Sequence, residues 1–420
     1  MFKFESLPEH ICDSRKRQRQ AVELGDRAPA LFPYFQAIVD VRSSAIVGYE
    51  CLARMNNQEN KAVSAAWLFE DQSLSFEERR RADRLVREQA LKRFASDKTA
   101  GLLFLNISPR WVTEAKLNTQ LNSLRMIDKL GLDPRRVVVE ITELGGNMKS
   151  LAAAIKAYKR AGLKVAIDDF GAGASQLDRL LCLEPDYLKL DMGLFKRAAY
   201  NTSSSRLLMA LAPFAEHSSC EIICEGVETE QEYHFALECG AQYVQGWLMA
   251  PAQAELLPQH HCYELNKKNQ RSYLQRKKQK IRSSVEVENQ LRSCVKTIKR
   301  AIEIDALYEL DAKSLAADGV LRFCLYSEDA EQISARYNVL GGHLSCDYPR
   351  ASWCWAHRPY LSVVMDVASQ SRGSYCLSQS YFDTQAQVLC KAWAAKLDDG
   401  RIILLDCVAA ETTLFCEEKS

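Results

Sequence analysis

The sequence contains no apolar run near the roughly 18–20 residues needed to cross a bilayer. Its opening residues are mixed and charged and lack the apolar core of a signal peptide. Both absences make a cytoplasmic protein without a membrane contact the expectation. No CxxC spacing occurs among the 15 Cys. This argues against a zinc ribbon or a disulfide framework and fits buried thiols in a reducing compartment. Neither sign of charge is in excess: 55 Lys and Arg stand against 54 Asp and Glu, a net charge of +1. No polyanion-binding surface therefore dominates, and nucleic acid is not an expected partner. No GxGxxG follows an early strand, which removes the dinucleotide-binding signature. Internal repeats and low-complexity tracts are also lacking.

What the chain does have is length and periodicity. Its 420 residues allow two or three domains with ample core. After a lead-in over residues 1–31, residues 32–259 alternate short β-branched runs with helical stretches. The strand candidates are PYFQAIVDV, AIVGYECL, LLFLNI, RVVVEIT, KVAIDD, DYLKLD, EIICEG and YVQGW. Their nearly continuous apolar character is that of strands buried on both faces. Between them, Ala65–Phe94 reads as helix. So does Met148–Ala161, with Leu151, Ala154, Ile155 and Tyr158 on one stripe and Gly162 closing it, and Thr229–Cys239, closed by Gly240. The expected fold is α/β, a (β/α)8 TIM-like barrel.

Residues 260–304 hold twelve Lys and Arg against four Glu, with no Gly or Pro. An apolar stripe through Ile281, Val285, Leu291, Val295, Ile298 and Ile302 predicts a helical connector of one or two helices. Its basic face is read as solvated. Residues 305–420 form a smaller α+β region, with expected strands VLRFCLYS, YLSVVMDV, GSYCLSQSYF, AQVLCKAWAAKL and GRIILLDCVA, and a hairpin turn at LDDG.

The chemistry gathers at the carboxyl ends of the barrel strands, where such folds place their active sites. Those ends carry Glu50, Asn106, Glu140 followed by Glu143, Asp168 with Asp169, Lys189 with Asp191, Glu225 and Gln245. Carboxylates brought this close repel unless they protonate or bind cations. An all-oxygen set without Cys or His suits hard ions such as Mg²⁺ or Mn²⁺. Two such ions about 3.5–4 Å apart suit in-line attack of water on a phosphodiester. Read blandly, Lys189 is a structural neutraliser, Asn106 caps a turn and Gln245 is a loop residue.

The ordered motifs YFQAIVD, GYECLAR, NISP, EITE, DDFGAGAS, YLKLD, EGVET and VQGW, spread over about residues 33–252, resemble the EAL-domain phosphodiesterases, which hydrolyse cyclic di-GMP to linear pGpG. The name-giving tripeptide reads Glu50-Cys51-Leu52 here. The resemblance implies two Mg²⁺ or Mn²⁺ per barrel, with Ca²⁺ inhibitory. Glu50, Asn106, Glu140 and Asp168 match ligands of one metal. Asp168 bridges to a second metal held by Asp169 and Glu225. Lys189 matches the lysine that contacts the attacking water, and Glu143 the glutamate that props the DDFGAGAS loop. Gln36, Leu52, Arg54, Asp191 and Gln245 match substrate-side positions. Ala37, Met55 and Ala174 depart from the family pattern, but none is a metal ligand.

The alternative is a catalytically weak or inactive cyclic di-GMP receptor that signals by conformational change. The C-terminal region resembles PAS-like or Cache-like sensory domains, which implies regulation and a small-molecule ligand there. A homodimer is the expected assembly.

Overall fold

The structure is a computed structural model. It describes residues 30–409, apart from 109–121, 143–147, 172–179, 349–374 and positions 72, 100, 181, 211, 212, 214, 216, 379 and 384. Residues 1–29 of the lead-in, Glu143, the second half of DDFGAGAS (residues 172–175) and the expected strand YLSVVMDV lie outside the described residues. The chain divides into two units, Met1–Tyr273 and Leu274–Ser420.

In the first unit, nine strands are β1 Leu31–Asp40, β2 Ile46–Asn56, β3 Ala62–Ser64, β4 Leu102–Asn106, β5 Val137–Thr142, β6 Lys164–Phe170, β7 Tyr187–Leu190, β8 Glu221–Cys224 and β9 Tyr243–Val244. All eight expected strands are present. Seven of them, β2 and β4–β9, run parallel in order. Strand β1 pairs with both β2 and β9 and closes the barrel.

The closing strand departs from the expected repeat, because β1 runs antiparallel to both neighbours. The link from Asp40 to Ile46 is far too short for the crossover that a parallel pair demands. It is a tight turn, in which the Asp40 carboxylate accepts hydrogen bonds from the backbone N–H of Arg42 (2.6 Å) and Ser43 (3.2 Å). The short β3 extends the sheet beside the outer end of β2, with Arg54 opposite Ser64.

The helices cover the barrel. The expected Ala65–Phe94 helix is broken into Trp67–Glu70 and Phe76–Ser96. The break is built by Ser75 and Glu78, whose side chains satisfy each other's backbone N–H groups at the new N-terminus. Helix Met148–Arg160 buries Leu151, Ala154, Ile155 and Tyr158, the stripe read from sequence. Gly162 follows at φ 95°, a conformation that glycine adopts freely. Helix Glu230–Glu238 starts at a second reciprocal cap, Thr229 with Glu232.

The region read as a connector is one helix, Tyr263–Glu303. Its start is tied to the barrel by buried Asn266, which donates to Val41 O (3.2 Å) and Ser44 Oγ (2.9 Å) and accepts from the Tyr233 hydroxyl (2.7 Å).

The second unit is an antiparallel sheet of β10 Val320–Tyr326, β11 Arg336–Leu340, β12 His343–Asp347, β13 Tyr375–Leu377, β14 Tyr381–Asp383, β15 Val388–Lys396 and β16 Ile402–Val408. The order is β12-β11-β10-β16-β15-β13, with β14 also on β15. Leu291, Cys294, Val295 and Ile298 of the long helix follow an i, i+3, i+4, i+7 stripe. They share a core with Phe323, Leu325, Trp393 and Leu405. The other face carries Cys324, Tyr326, Ala392, Ala394, Ile402 and Leu404. The β11–β12 hairpin was not foreseen. Its signal is Gly341-Gly342, both at positive φ (57° and 77°), as a mirror-image turn requires.

Candidate active site

Strand alternation explains how the barrel mouth is assembled. Side chains two residues apart point to the same face of a sheet. Ile38, Phe104, Val138, Ala166, Tyr187, Ile223 and Tyr243 pack together as an apolar cluster, while their sequence neighbours belong to the larger core beneath the helices. Two positions nearer the mouth from each cluster residue stand Gln36, Asn106, Glu140, Asp168, Lys189, Glu225 and Gln245. On β2, Glu50 is paired with Gln36 across the antiparallel register. One polar side chain from each of eight strands thus forms a layer directly above an apolar plug. The parallel register brings Asn106 beside Glu140.

Lys189 is the hub of this layer. Its Nζ lies 2.7 Å from Glu140 Oε1, 2.7 Å from Glu225 Oε1, 3.0 Å from Asp168 Oδ1 and 3.3 Å from Glu50 Oε2. Glu140 and Lys189 are fully buried, and Glu50 and Asp168 nearly so. Glu50 is held on its other sides by Asn106 Nδ2 (3.1 Å) and Gln245 Nε2 (2.6 Å), and Gln245 also donates to Gln36 Oε1 (3.1 Å). The amides of Asn106, Gln245 and Gln36 therefore form a brace for Glu50.

The protonation pattern follows from this crowding. Burial opposes the charge on Lys189, but Asp168, Glu140, Glu225 and Glu50 around it raise its pKa well above the ordinary lysine value. Burial lifts Glu140 and Glu225 well above the carboxylate range, against the pull of Lys189. Asp168 is shifted the other way. Burial pushes it up, yet Lys189 and a hydrogen bond with Glu225 leave it below its usual value. Desolvation, then the neighbouring charge of Asp168, raises Asp169 to about 6. Asp168 is thus held ionised by its neighbours.

These residues fit divalent cations. Oxygen atoms of Glu50, Glu140 and Asp168 lie within 4.8 Å of one another, as do those of Asp168, Asp169 and Glu225, so Asp168 belongs to both groups. Glu140 Oε2 is buried without a hydrogen-bond partner among the described residues, and four carboxylate oxygens compete for the three N–H donors of Lys189. Lys189 is the one cation paired with Glu50, Glu140, Asp168 and Glu225 among those residues, which leaves these four carboxylates short of positive charge. The donors are all oxygen, the chemistry of hard ions. Asp169 reaches the second group through a left-handed backbone at φ 56°, a strained conformation for a residue with a side chain.

The remaining expected residues are more dispersed. Leu52 and Arg54 continue β2 outward and are half-buried. Arg54 donates to the Ala53 carbonyl (3.0 Å) and lies 5.8 Å from the Tyr34 ring centroid. The Asp191 carboxylate accepts from Leu194 N (2.8 Å) and caps helix Met192–Tyr200. Cys51 points away from the mouth into the core under the helices. The bracing role of the Gln36–Gln245–Glu50 chain was not read from sequence. Only the closure of β1 between β2 and β9 brings these three together.

The EAL domain family matches residues 15–252, more than half of the chain. The chain belongs to that family. YkuI of Bacillus subtilis, an uncharacterized EAL-domain containing protein, is 24% identical over 386 residues, 90% of this chain and 94% of YkuI. The crystal structure of YkuI in complex with cyclic di-GMP and calcium matches with a TM-score of 0.79 at 23% identity, covering 90% of this chain and 96% of that one. That likeness establishes the fold. PdeA of Escherichia coli, a probable cyclic di-GMP phosphodiesterase, is 30% identical over 178 residues, 41% of this chain. The match spans only 24% of PdeA's own length. No helix among the described residues is long and apolar enough to cross a membrane.

Proposed function

We propose that this EAL barrel hydrolyses cyclic di-GMP to linear pGpG. The observation that carries the reading is the pair of carboxylate groups sharing Asp168 inside a closed layer of eight polar side chains. Glu50, Asn106, Glu140 and Asp168 would hold one divalent cation, and Asp168, Asp169 and Glu225 the other. When bound, Mg²⁺ or Mn²⁺ supplies positive charge for the attacking water and the phosphoryl oxygens.

The chain's own residues do the rest. Gln245 and Asn106 fix Glu50, so the first carboxylate group is set before substrate arrives. Lys189, raised well above the ordinary lysine pKa, stays protonated and donates to an incoming oxygen rather than removing a proton. Arg54 offers a planar guanidinium to a phosphate at the outer end of β2. Water adds at phosphorus, the ester P–O bond breaks, and the water's proton ends on the leaving ribose hydroxyl.

Naming of relatives as cyclic di-GMP phosphodiesterases supports the substrate class. The second unit, a mixed helix and antiparallel-sheet domain, is read as a regulatory module of the PAS-like kind, and a homodimer as the assembly. The test is to incubate purified protein with cyclic di-GMP and Mn²⁺ and separate the products. Accumulating pGpG, abolished by EDTA, supports hydrolysis. Tight binding of cyclic di-GMP without turnover would instead make the barrel a receptor.

A further inference from the structure

Trp247 is 71% exposed in the loop just beyond the carboxyl end of β9. A tryptophan is normally among the more buried residues, and the backbone that carries this one is held in place. It follows Gln245, whose amide braces Glu50. Its backbone is pinned against the loop that follows Glu225. Val227 N donates to Gln245 O (3.1 Å) and Leu248 N to Val227 O (3.0 Å), so the bonds bracket the residue on both sides. Between them Gly246 lies so close that a Cβ there would stand 2.1 Å from the Val227 carbonyl oxygen. Only glycine permits that approach. Across the same loop, Met192 is 45% exposed and lies over Gly226, where a Cβ would stand 2.2 Å from Met192 Cγ. Two large apolar side chains thus flank the loop of an acidic site.

A bare phosphodiester needs only the charged layer. Nothing in that layer offers a flat apolar face to a nucleobase. Planar bases stack on exposed aromatic rings whatever their hydrogen-bonding edges, each such contact contributing about 1–3 kcal/mol. A rigidly based tryptophan also costs little ordering entropy on binding.

We infer that Trp247 is the stacking platform for a purine of the dinucleotide and so a determinant of the site's preference for dinucleotides over simple phosphodiesters. This rests on the reading of cyclic di-GMP as substrate. The test uses the full chain with Mn²⁺ and two substrates, cyclic di-GMP and glycerophosphocholine, an aliphatic phosphodiester with no ring that can stack. In Trp247→Ala the ratio of kcat/KM for the first over the second is expected to fall about tenfold. The fall should come through KM for cyclic di-GMP, and Trp247→Phe should recover most of it. Independently, cyclic di-GMP should quench the intrinsic tryptophan fluorescence of the unaltered protein, and the quench should vanish in Trp247→Phe.

An unchanged substrate ratio in Trp247→Ala, with the quench retained in Trp247→Phe, overturns the assignment while leaving the hydrolase reading intact. A change in oligomeric state without a change in that ratio also overturns it and makes Trp247 a protein contact. If the unaltered protein neither binds nor cleaves cyclic di-GMP, the substrate reading fails and this inference fails with it.

Discussion

Replacing Lys189 by Met removes the only cation paired with the carboxylate layer among the described residues, while roughly keeping its length. Breaking a buried ion pair by deleting one partner typically costs about 3–5 kcal/mol, because the remaining charge is stranded. Here four carboxylates surround one ammonium at 2.7–3.3 Å. Two of them are already held well above the usual carboxylate range, so part of the loss is met by protonation. The lower end, about 3 kcal/mol, is therefore expected for the metal-free protein near neutral pH. For a unit of this size that is roughly 6–12 °C in the melting transition of the barrel.

The sign with pH follows from the acids. A carboxyl whose pKa is raised on folding is penalised only where the unfolded chain is ionised. Its cost is absent below the unfolded value near 4.5 and grows as pH rises above it. The Lys189→Met defect should therefore be small near pH 4.5 and largest at pH 7–8. Divalent cation should reverse it, because an added cation replaces the missing one, and the metal-induced rise in melting temperature should exceed that of the unaltered protein. The assay is a thermal melt of both proteins in EDTA and in Mn²⁺ across pH. Equal melting temperatures in EDTA at pH 8 would mean that the Lys189 contacts are energetically idle.

Other outcomes follow from the same geometry. Asp168→Asn should lower cyclic di-GMP turnover by at least about a thousandfold, more than Glu50→Gln, because Asp168 belongs to both carboxylate groups; steady-state kinetics in Mn²⁺ compares the two. Replacing Mn²⁺ by Ca²⁺ should stop turnover, since calcium takes longer bonds and more ligands. Mn²⁺ affinity, followed by calorimetry, should weaken as pH falls through about 6, where Asp169 takes up a proton that the metal must displace. Loading should also release protons from Glu140 and Glu225, both raised by burial, and the observed heat should vary with buffer ionisation enthalpy. Asn266→Leu leaves the Tyr233 hydroxyl without its acceptor and removes one of two amide donors to the Val41 carbonyl, and should cost the barrel about 1–3 kcal/mol. By the same bonds, a chain cut after Gln259 should melt below one cut after Tyr273.

The fold and the layer were legible for one reason, the period of two. Strands such as RVVVEIT and KVAIDD are apolar on both faces until a single inward position near the mouth turns acidic, at Glu140 and Asp168. That interruption is visible in a linear sequence. The tight turn at Asp40–Ile46 was equally visible but unread. Five residues cannot cross over, so the antiparallel β1 and its closure of the barrel were available in principle. The brace of Glu50 by Gln245 was not, because it depends on which strands meet when the barrel closes, 195 residues apart. Asp191 reads as a site residue from its position after LKL, yet its carboxylate is engaged by the backbone of Leu194 as a helix cap, a competition between local and site chemistry that spacing does not resolve. In the second unit the Gly341-Gly342 hairpin went unread although its turn chemistry was plain.

On the function proposed above, the two carboxylate groups sharing Asp168 hold two metal ions. Crystals soaked in Mn²⁺ and measured at its absorption edge test it directly. Two anomalous peaks are expected in the barrel mouth, bridged by Asp168, one also bound by Glu50, Asn106 and Glu140 and the other by Asp169 and Glu225. A single peak, or none with Lys189 still centred among the four carboxylates, would contradict it.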